Sequence, residues 1–245
     1  MVNIFYRKWL ILALLFLLPV IFLLFLYPAT HNYKPLDIVK ENVKELDSFE
    51  FVFQGKNQQN TTLEDKITVL MFLGDYPYSN MTNAFNIKEL VYDKFKNFKN
   101  FQIVTIGSKY PYFMQLKDVM YELEKSTYSG ELKNWYFATA DTKVINDIYK
   151  SLRSNQDLDS LNFTNQVFII DKLRNQRGRI DDSDNDNKNI KSNNGLYSYN
   201  SILVSEIKKK MNDDIRILLT EYRQKRKGNF NSNIRRISEL ERNDK

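Results

Sequence analysis

Cysteine is absent from this 245-residue chain. That absence excludes disulfides, thiolate metal sites, thiol redox chemistry and a lipid anchor carried on cysteine, whatever the compartment. Histidine occurs once, as His31, and no glycine-rich stretch of the kind that cradles phosphate is present. Glycine (7) and proline (5) are scarce while aromatic residues make up 14 %, which argues for a packed domain and against a disordered chain. Charge of one sign does not dominate, since the formal excess is only +6. The length suits one good-sized core and is too short for two large ones.

One long apolar run stands out against these shortages. From Trp9 to Tyr27 the chain reads WLILALLFLLPVIFLLFLY, without a charge. At about 1.5 Å per residue, a helix of that length nearly matches the hydrocarbon core of a bilayer. Trp9 and Tyr27 bracket it as interfacial aromatics, and Pro19 in its middle is tolerable in lipid and is expected to bend the helix. A cleaved signal peptide is the alternative, but Pro28-Ala29-Thr30-His31 matches a cleavage site poorly. Arg7 and Lys8 precede the run and Lys34 is the first positive charge after it, which favours a cytoplasmic N-terminus and an exported remainder. The expected organisation is a cytoplasmic start (1–8), a transmembrane helix (9–28), a spacer (29–48), a globular domain (49–228) and a polar tail (229–245).

The spacer allows a short helix around Ile38 to Leu46, and FEFVF (Phe49 to Phe53) reads as a strand. Asn57 to Asp65 is a polar turn region. Ile67 to Gly74 is near-continuously apolar, as expected of a strand covered on both faces. Helical spacing then takes over from Asn80, through Ala84, Ile87, Val91 and Phe95. Phe101 to Ser108 is a second buried strand. Pro111 opens a helix with Phe113, Leu116, Met120 and Leu123 on its stripe. Trp135 to Asp141 is a third strand, its Asp placed to cap a helix from Thr142 to Leu152. Gln166 to Asp171 is a fourth, with QRGRID as its hairpin partner. A last long helix carries Leu203, Ile207, Met211, Ile215, Leu218 and Tyr222 on one face. Alternating strands and helices predict an α/β fold with a mostly parallel sheet, closed by an antiparallel hairpin and a terminal helix. The expected class is a thioredoxin-like mixed sheet flanked by helices, preceded by the transmembrane helix.

The segment FLGDYPYSNMTNAF resembles the strand-to-helix junction of the Sco/SenC proteins, membrane-anchored thioredoxin-like copper chaperones of cytochrome oxidase. In that family a strand ends in a C-P-x-x-C loop before a helix. Laying Pro77 on the family proline puts Tyr76 and Asn80 where the two cysteines belong. VFIIDKLRNQRGRID resembles the family's late hairpin, and the family's ligand histidine would fall near Phe163. The chain is also similar to uncharacterised single-span membrane proteins of flavobacterial type, which end in a similar KMNDD helix. The resemblance implies the fold and the topology. It implies neither copper transfer nor thiol exchange, because every ligand is replaced.

The candidate binding surface is the junction Asp75, Tyr76, Pro77, Tyr78, Ser79 and Asn80, together with Phe163, Asn165 and Gln166 ahead of the fourth strand. A helix N-terminus offers N–H groups there, and two tyrosines offer apolar area with a polar tip. The competing reading is a surface loop whose Asn80 caps the helix. Tyr76 or Ser79 as a nucleophile would need a base, and no histidine is at hand. Asp181 to Asn187 alternates carboxylates as a calcium loop does. With Asp182 first, however, position six is Asn187 and position twelve Asn193, against the Gly and Glu that an EF-hand needs. His31 reads as a polar interfacial residue. The sequons at Asn60, Asn80 and Asn162 are expected by chance in a chain so rich in Asn. The basic segment Arg223 to Lys227, with Arg235 and Arg236, reads as a solvated helix end, or as a contact for anionic lipid or an acidic partner.

The function expected from these residues is that of a non-catalytic, membrane-anchored binding or accessory protein with a protein partner in or at the membrane. No cofactor, no metal and no nucleic acid are expected. By resemblance, its work is the assembly or maintenance of a respiratory (cytochrome oxidase) or other envelope complex. Two other classes stay open: a permanent structural subunit, and a cysteine-free enzyme using carboxylates such as Asp75 and Asp171.

Overall fold

The computed structural model describes residues 4–29, 35–52, 60–110, 113–128, 130–180 and 195–226. The chain divides into two compact units, Met1–Pro35 and Leu36–Lys245. Helix α1 (Ile4–Ala29) forms the first and runs through Pro19 without interruption. Its window Arg7–Leu24 is long and apolar enough to cross a membrane, and none of that window is buried.

The second unit is built on an eight-stranded sheet. In chain order its strands are β1 (Asp37–Lys40), β2 (Glu50–Val52), β3 (Ile67–Gly74), β4 (Phe101–Ser108), β5 (Trp135–Ala140), β6 (Phe163–Ile170), β7 (Gln176–Gly178) and β8 (Tyr199–Asn200). Across the sheet the order is β1-β7-β6-β3-β4-β5-β2, with β8 on β6. Among the described strands, only β3–β4 and β4–β5 are parallel. β6 enters beside β3 antiparallel, and the pairs β6–β7, β1–β7, β2–β5 and β6–β8 are antiparallel too. The sheet is therefore mixed, and less parallel than the alternation of elements suggests. Its central order β7-β6-β3-β4, a βαβ unit followed by a ββα unit, makes the fold thioredoxin-like.

Handedness decides which helix covers which face. The steps β3 to β4 and β4 to β5 go in the same direction, so right-handed crossovers put their helices on one face. Those helices are α2 (Met81–Ile87), continued by a π-helical turn (Lys88–Tyr92) and α3 (Asp93–Phe95), and α4 (Phe113–Lys125). They pack Ala84, Ile87, Val91, Leu116, Val119 and Leu123 against Val69, Met71, Leu73 and Ile103. The C-terminal helix shares that face: α6 (Val204–Glu206), a second π-helical turn (Ile207–Met211) and α7 (Asn212–Arg226). The return from β5 to β6 carries α5 (Thr142–Lys150) over the other face, onto Leu70, Phe72, Val104, Ile106 and Phe168. Every residue of β3 and β4 is buried, which accounts for their unbroken apolar runs.

Several local expectations are corrected. Ile38 to Leu46 holds β1 and a turn in place of a helix. Asn42 adopts a left-handed φ of 55°, and Val43 N–H donates to Arg174 O at 2.8 Å, which buries Val43 and Leu46 without a helix. The folded unit accordingly starts at Leu36, ahead of Phe49. Asp141 stands at the N-cap of α5, but its side chain makes no capping bond. Of the last helix's expected stripe, Ile207, Met211, Ile215 and Leu218 are buried, while Leu203 is exposed at the helix start. Lys34, His31, Phe53, residues 57–59, Pro111, the acidic stretch Asp181 to Asn187 with Asn193, Lys227, Arg235, Arg236 and the tail 229–245 lie outside the described residues.

Candidate functional site

The junction after β3 is fixed by close packing. Gly74 has φ +70°, and a Cβ on it would lie 2.4 Å from Leu161 O and 2.8 Å from Phe163 Cβ. Only glycine satisfies both the conformation and the space. Asp75 N–H donates to Leu161 O at 2.8 Å, which ties the junction to the loop ahead of β6. Parallel pairing sets Gly74 against Gly107, so Asp75 meets Ser108 at the end of β4. The Ser108 hydroxyl donates to Asp75 Oδ1, and Asn162 Nδ2 donates to the same oxygen at 2.8 Å. Asn162 Nδ2 also reaches Thr142 Oγ1, on the first residue of α5, at 3.1 Å. Asn162 is buried with φ 58°, a left-handed conformation that Asn tolerates better than most residues. One carboxylate thus joins β3, β4 and the loop before β6, with α5 one bond further on.

The loop beyond Asp75 is also engaged. Pro77 is buried by Gly107, where an added Cβ would come within 3.5 Å of Pro77 Cγ. The N–H groups of Ser79, Asn80, Met81 and Asn83 donate to the carbonyls of Tyr76, Pro77, Tyr78 and Asn80 at 3.1–3.2 Å. The entry to α2 is therefore already occupied by the turn, contrary to an open row of donors. Asn80 occupies the N-cap position without capping; its Nδ2 turns back to Leu73 O at 2.9 Å. Tyr76 is half-buried, Ser79 is exposed, and Tyr78 is 52 % exposed.

Phe163, Asn165 and Gln166 do not converge on this loop as one cluster. Phe163 opens β6 opposite Leu73, and its N–H donates to Asp159 Oδ1 at 2.8 Å. Asn165 Oδ1 accepts from Asn83 Nδ2 at 2.7 Å, and its carbonyl accepts from Ser201. Gln166 bonds Gln156 at 3.0 Å and Ser198 at 2.6 Å instead. The alternation of a strand sends neighbours 165 and 166 to opposite faces.

Asp171 lies elsewhere. β3 and β6 are antiparallel, with Thr68 opposite Ile170 and Leu73 opposite Phe163. Asp75 and Asp171 therefore sit at opposite ends of the sheet, separated by roughly 20 Å of strand. Asp171 Oδ1 accepts the N–H groups of Leu173 and Asn175, both at 2.9 Å, and Oδ2 accepts Arg177 Nη1 at 2.9 Å. Arg177 Nη2 donates to Glu221 Oε2 and to Leu36 O, both at 2.7 Å. Burial acts to lower the basicity of this guanidinium, but the charges of Glu221 and Asp171 outweigh it and raise its pKa. The cluster clamps the β6–β7 turn, α7 and the start of the folded unit. The two carboxylates cannot serve one reaction. Among the described residues, no three His, Cys, Asp or Glu side chains gather as a metal site would require.

Ser108 and Thr142 are not site candidates in the sequence, and Asn162 stands there only as a chance sequon. A signal existed in the matching strand ends, FLGD and TIGS, which parallel pairing places side by side.

No family model matches the chain, and no curated protein matches it. Among solved structures it is similar to a SCO1/SenC family lipoprotein from Bacillus anthracis, at 18 % identity and a TM-score of 0.42 over 72 % of this chain and 98 % of that one. It is similar to BsSco, a member of the Sco family of cytochrome c oxidase assembly proteins, at 13 % identity and 0.40, covering 70 % and 94 %. A third is ScoI from Arabidopsis thaliana with copper bound, at 15 % and 0.37, covering 64 % and 89 %. These belong to the family that the junction segment resembles in sequence.

Proposed function

We propose that this chain is a non-catalytic, membrane-anchored binding protein, whose thioredoxin-like domain works by contact at the Asp75–Asn80 end of its sheet. The observation that carries the reading is the state of that end. Its carboxylate is held by Ser108 and Asn162, and the N–H groups of Ser79, Asn80 and Met81 are taken up in the loop's own turn. Around this fixed base, Tyr78, Tyr110 and Leu161 are exposed. A platform of rigid polar groups with exposed aromatics suits recognition, since such rings give large contact area at low entropic cost. Phe163 packs beside Gly74 at the base of the platform, Asn165 is bonded to Asn83 and Ser201, and Gln166 pairs with Asn200 of β8.

The partner is a protein in or at the membrane. α1 is the anchor, the N-terminus is cytoplasmic and the domain is extracytoplasmic; this orientation follows the placement of Arg7 and Lys8. By resemblance, the complex served is a respiratory one of the cytochrome oxidase type, or another envelope complex. No cofactor and no nucleic acid enter this reading.

The test uses the tagged full-length chain, solubilised from native membranes in mild detergent, with co-purifying proteins identified by mass spectrometry. Wild type should bring down a defined partner. Tyr78→Asp should lose it while keeping the wild-type circular dichroism, because substitution of an exposed residue shifts stability by only about 0.5 kcal/mol. A wild-type chain recovered alone, or a partner held equally by Tyr78→Asp, sinks the proposal. A fixed stoichiometry that survives repeated washing would identify a permanent subunit. A reporter fused after Lys245 and active only in the cytoplasm would overturn the orientation.

A further inference from the structure

We propose that the turn Ile202–Val204, with Lys208 and Lys209 beyond it, is a second contact surface, and that its occupant is an anionic lipid bilayer. The proposal rests on the anchored reading above but concerns a different part of the domain.

Ile202, Leu203 and Val204 follow β8 and are 42 %, 49 % and 42 % exposed. The turn that carries them is tightly built. Ile202 N–H donates to Asn200 Oδ1 at 2.9 Å, Leu203 N–H to Asn200 O at 3.1 Å, and Asn200 N–H to Glu206 Oε1 at 2.7 Å. From α2, Asn86 Nδ2 donates to Ser201 O at 2.8 Å and Asn83 Nδ2 to Ser201 Oγ at 2.7 Å. These bonds pin the backbone of the tip on both sides, with its three aliphatic side chains exposed. Turns usually take polar residues, and single exposed aliphatics are ordinary, but three in succession from the turn into the first residue of α6 form a patch that folding does not use.

The next turn adds charge. Ile207 and Met211 are buried in the core, which points Lys208 and Lys209 outward, and both are exposed. Along α7, Asp214 and Glu221 are drawn inward. Asp214 is buried against Arg179 at 2.8 Å, and Glu221 is buried against Arg177. On the outer side Asp213 pairs with Arg216, while Arg223 and Arg226 are exposed. With two of its acids paired inside, the helix is left with an excess of cations on its outer side. Aliphatic side chains beside exposed cations are what an interfacial contact requires: the former enter the headgroup boundary and the latter meet anionic lipid. Charge sign argues for an anionic surface. The apolar α1 on the same chain makes a bilayer the surface held at high effective concentration.

The lack of cysteine makes the test clean. The full-length chain carrying Leu203→Cys, labelled with an environment-sensitive fluorophore, is placed in lipid nanodiscs of phosphatidylcholine alone or mixed equally with phosphatidylglycerol. Emission at position 203 should shift to the blue and be quenched by spin-labelled lipid in the anionic discs, and the effect should fade in high salt. Leu173→Cys, an exposed site in the β6–β7 turn, should stay in water. Lys208→Glu with Lys209→Glu should weaken the contact by more than about tenfold, since each cation near the surface contributes on the order of 1 kcal/mol. An unshifted probe in anionic discs overturns the proposal, as does equal shielding at 173. A blue shift without lipid quenching assigns the turn to a protein contact and overturns it too. Carbonate extraction scores the anchor separately. If α1 does not insert, sedimentation of the labelled chain with phosphatidylglycerol vesicles decides the surface by itself.

Discussion

Two neighbouring strands are each followed by aspartate, β3 in FLGD and β6 in FIID, and the two ends have opposite uses. At the β6 end, Asp171 is 1 % exposed and its oxygens are filled by two turn N–H groups and a buried guanidinium that also binds Glu221. Charge is spent there on closing the fold. At the β3 end, Asp75 is half-buried and takes neutral donors, Ser108 and Asn162, with exposed tyrosines around it. The lesson is that a carboxylate after an apolar strand is not yet a site. What it becomes depends on whether a full charge or a neutral hydroxyl and amide arrives from another part of the chain.

The largest expected effect breaks the ionic end. Arg177→Ala takes the shared guanidinium from two buried carboxylates, leaving Glu221 with Lys225 alone and Asp171 with two turn N–H groups, and should lower the unfolding free energy by about 3–5 kcal/mol, read by urea denaturation of the detergent-solubilised chain. Retention of wild-type stability would show that the clamp does not hold the fold. Smaller is the cost at the other end. Asp75→Ala removes the acceptor of the Ser108 hydroxyl and leaves the Asn162 amide with its longer bonds to Thr142 and Ser108, for about 1–3 kcal/mol. If the two variants cost the same, the contrast between the ends fails.

The smallest effect is alkaline and sharpens the same contrast. Tyr222 is pushed up by burial first and then by the charge of Asp171, and burial pushes Tyr92 up to about 12. A tyrosine whose folded pKa lies above its unfolded value of 10.0 keeps its proton longer in the native state. Stability is therefore full below pH 10 and falls as pH rises toward the folded value. The slope is at most about 1.4 kcal/mol per pH unit for each such group. Tyr222→Phe should flatten that decline without changing stability at pH 7, and an unchanged alkaline slope would rule its burial out as the cause.

Much of the sheet was legible because β3 and β4 are covered on both faces, and a strand so placed must be apolar throughout. β1 and β8 were not legible. They are 4 and 2 residues long, and their pairing depends on β7 and β6 arriving beside them. The helix stripe through Ile207, Met211, Ile215 and Leu218 was read correctly, but the π-helical turns within it and after α2 left no signal in the spacing. The junction residues were found by their place after a strand. Their partners Ser108, Asn162 and Thr142 were not, because hydrogen bonds across 33, 87 and 20 positions of chain have no local pattern.

By itself the sequence determined the chemistry that is out of reach, the apolar N-terminal helix and the strands of the sheet centre, since each follows from which side chains are present and at what period. Tertiary structure decided the rest. It placed Asp75 and Asp171 at opposite ends through the antiparallel entry of β6. It turned Asp214 and Glu221 of the last helix inward and left Lys208 and Lys209 outside. It also left Ile202 to Val204 exposed on a turn too firmly bonded to hide them. Those outcomes depend on which distant groups meet, and only closure of the sheet brings them together.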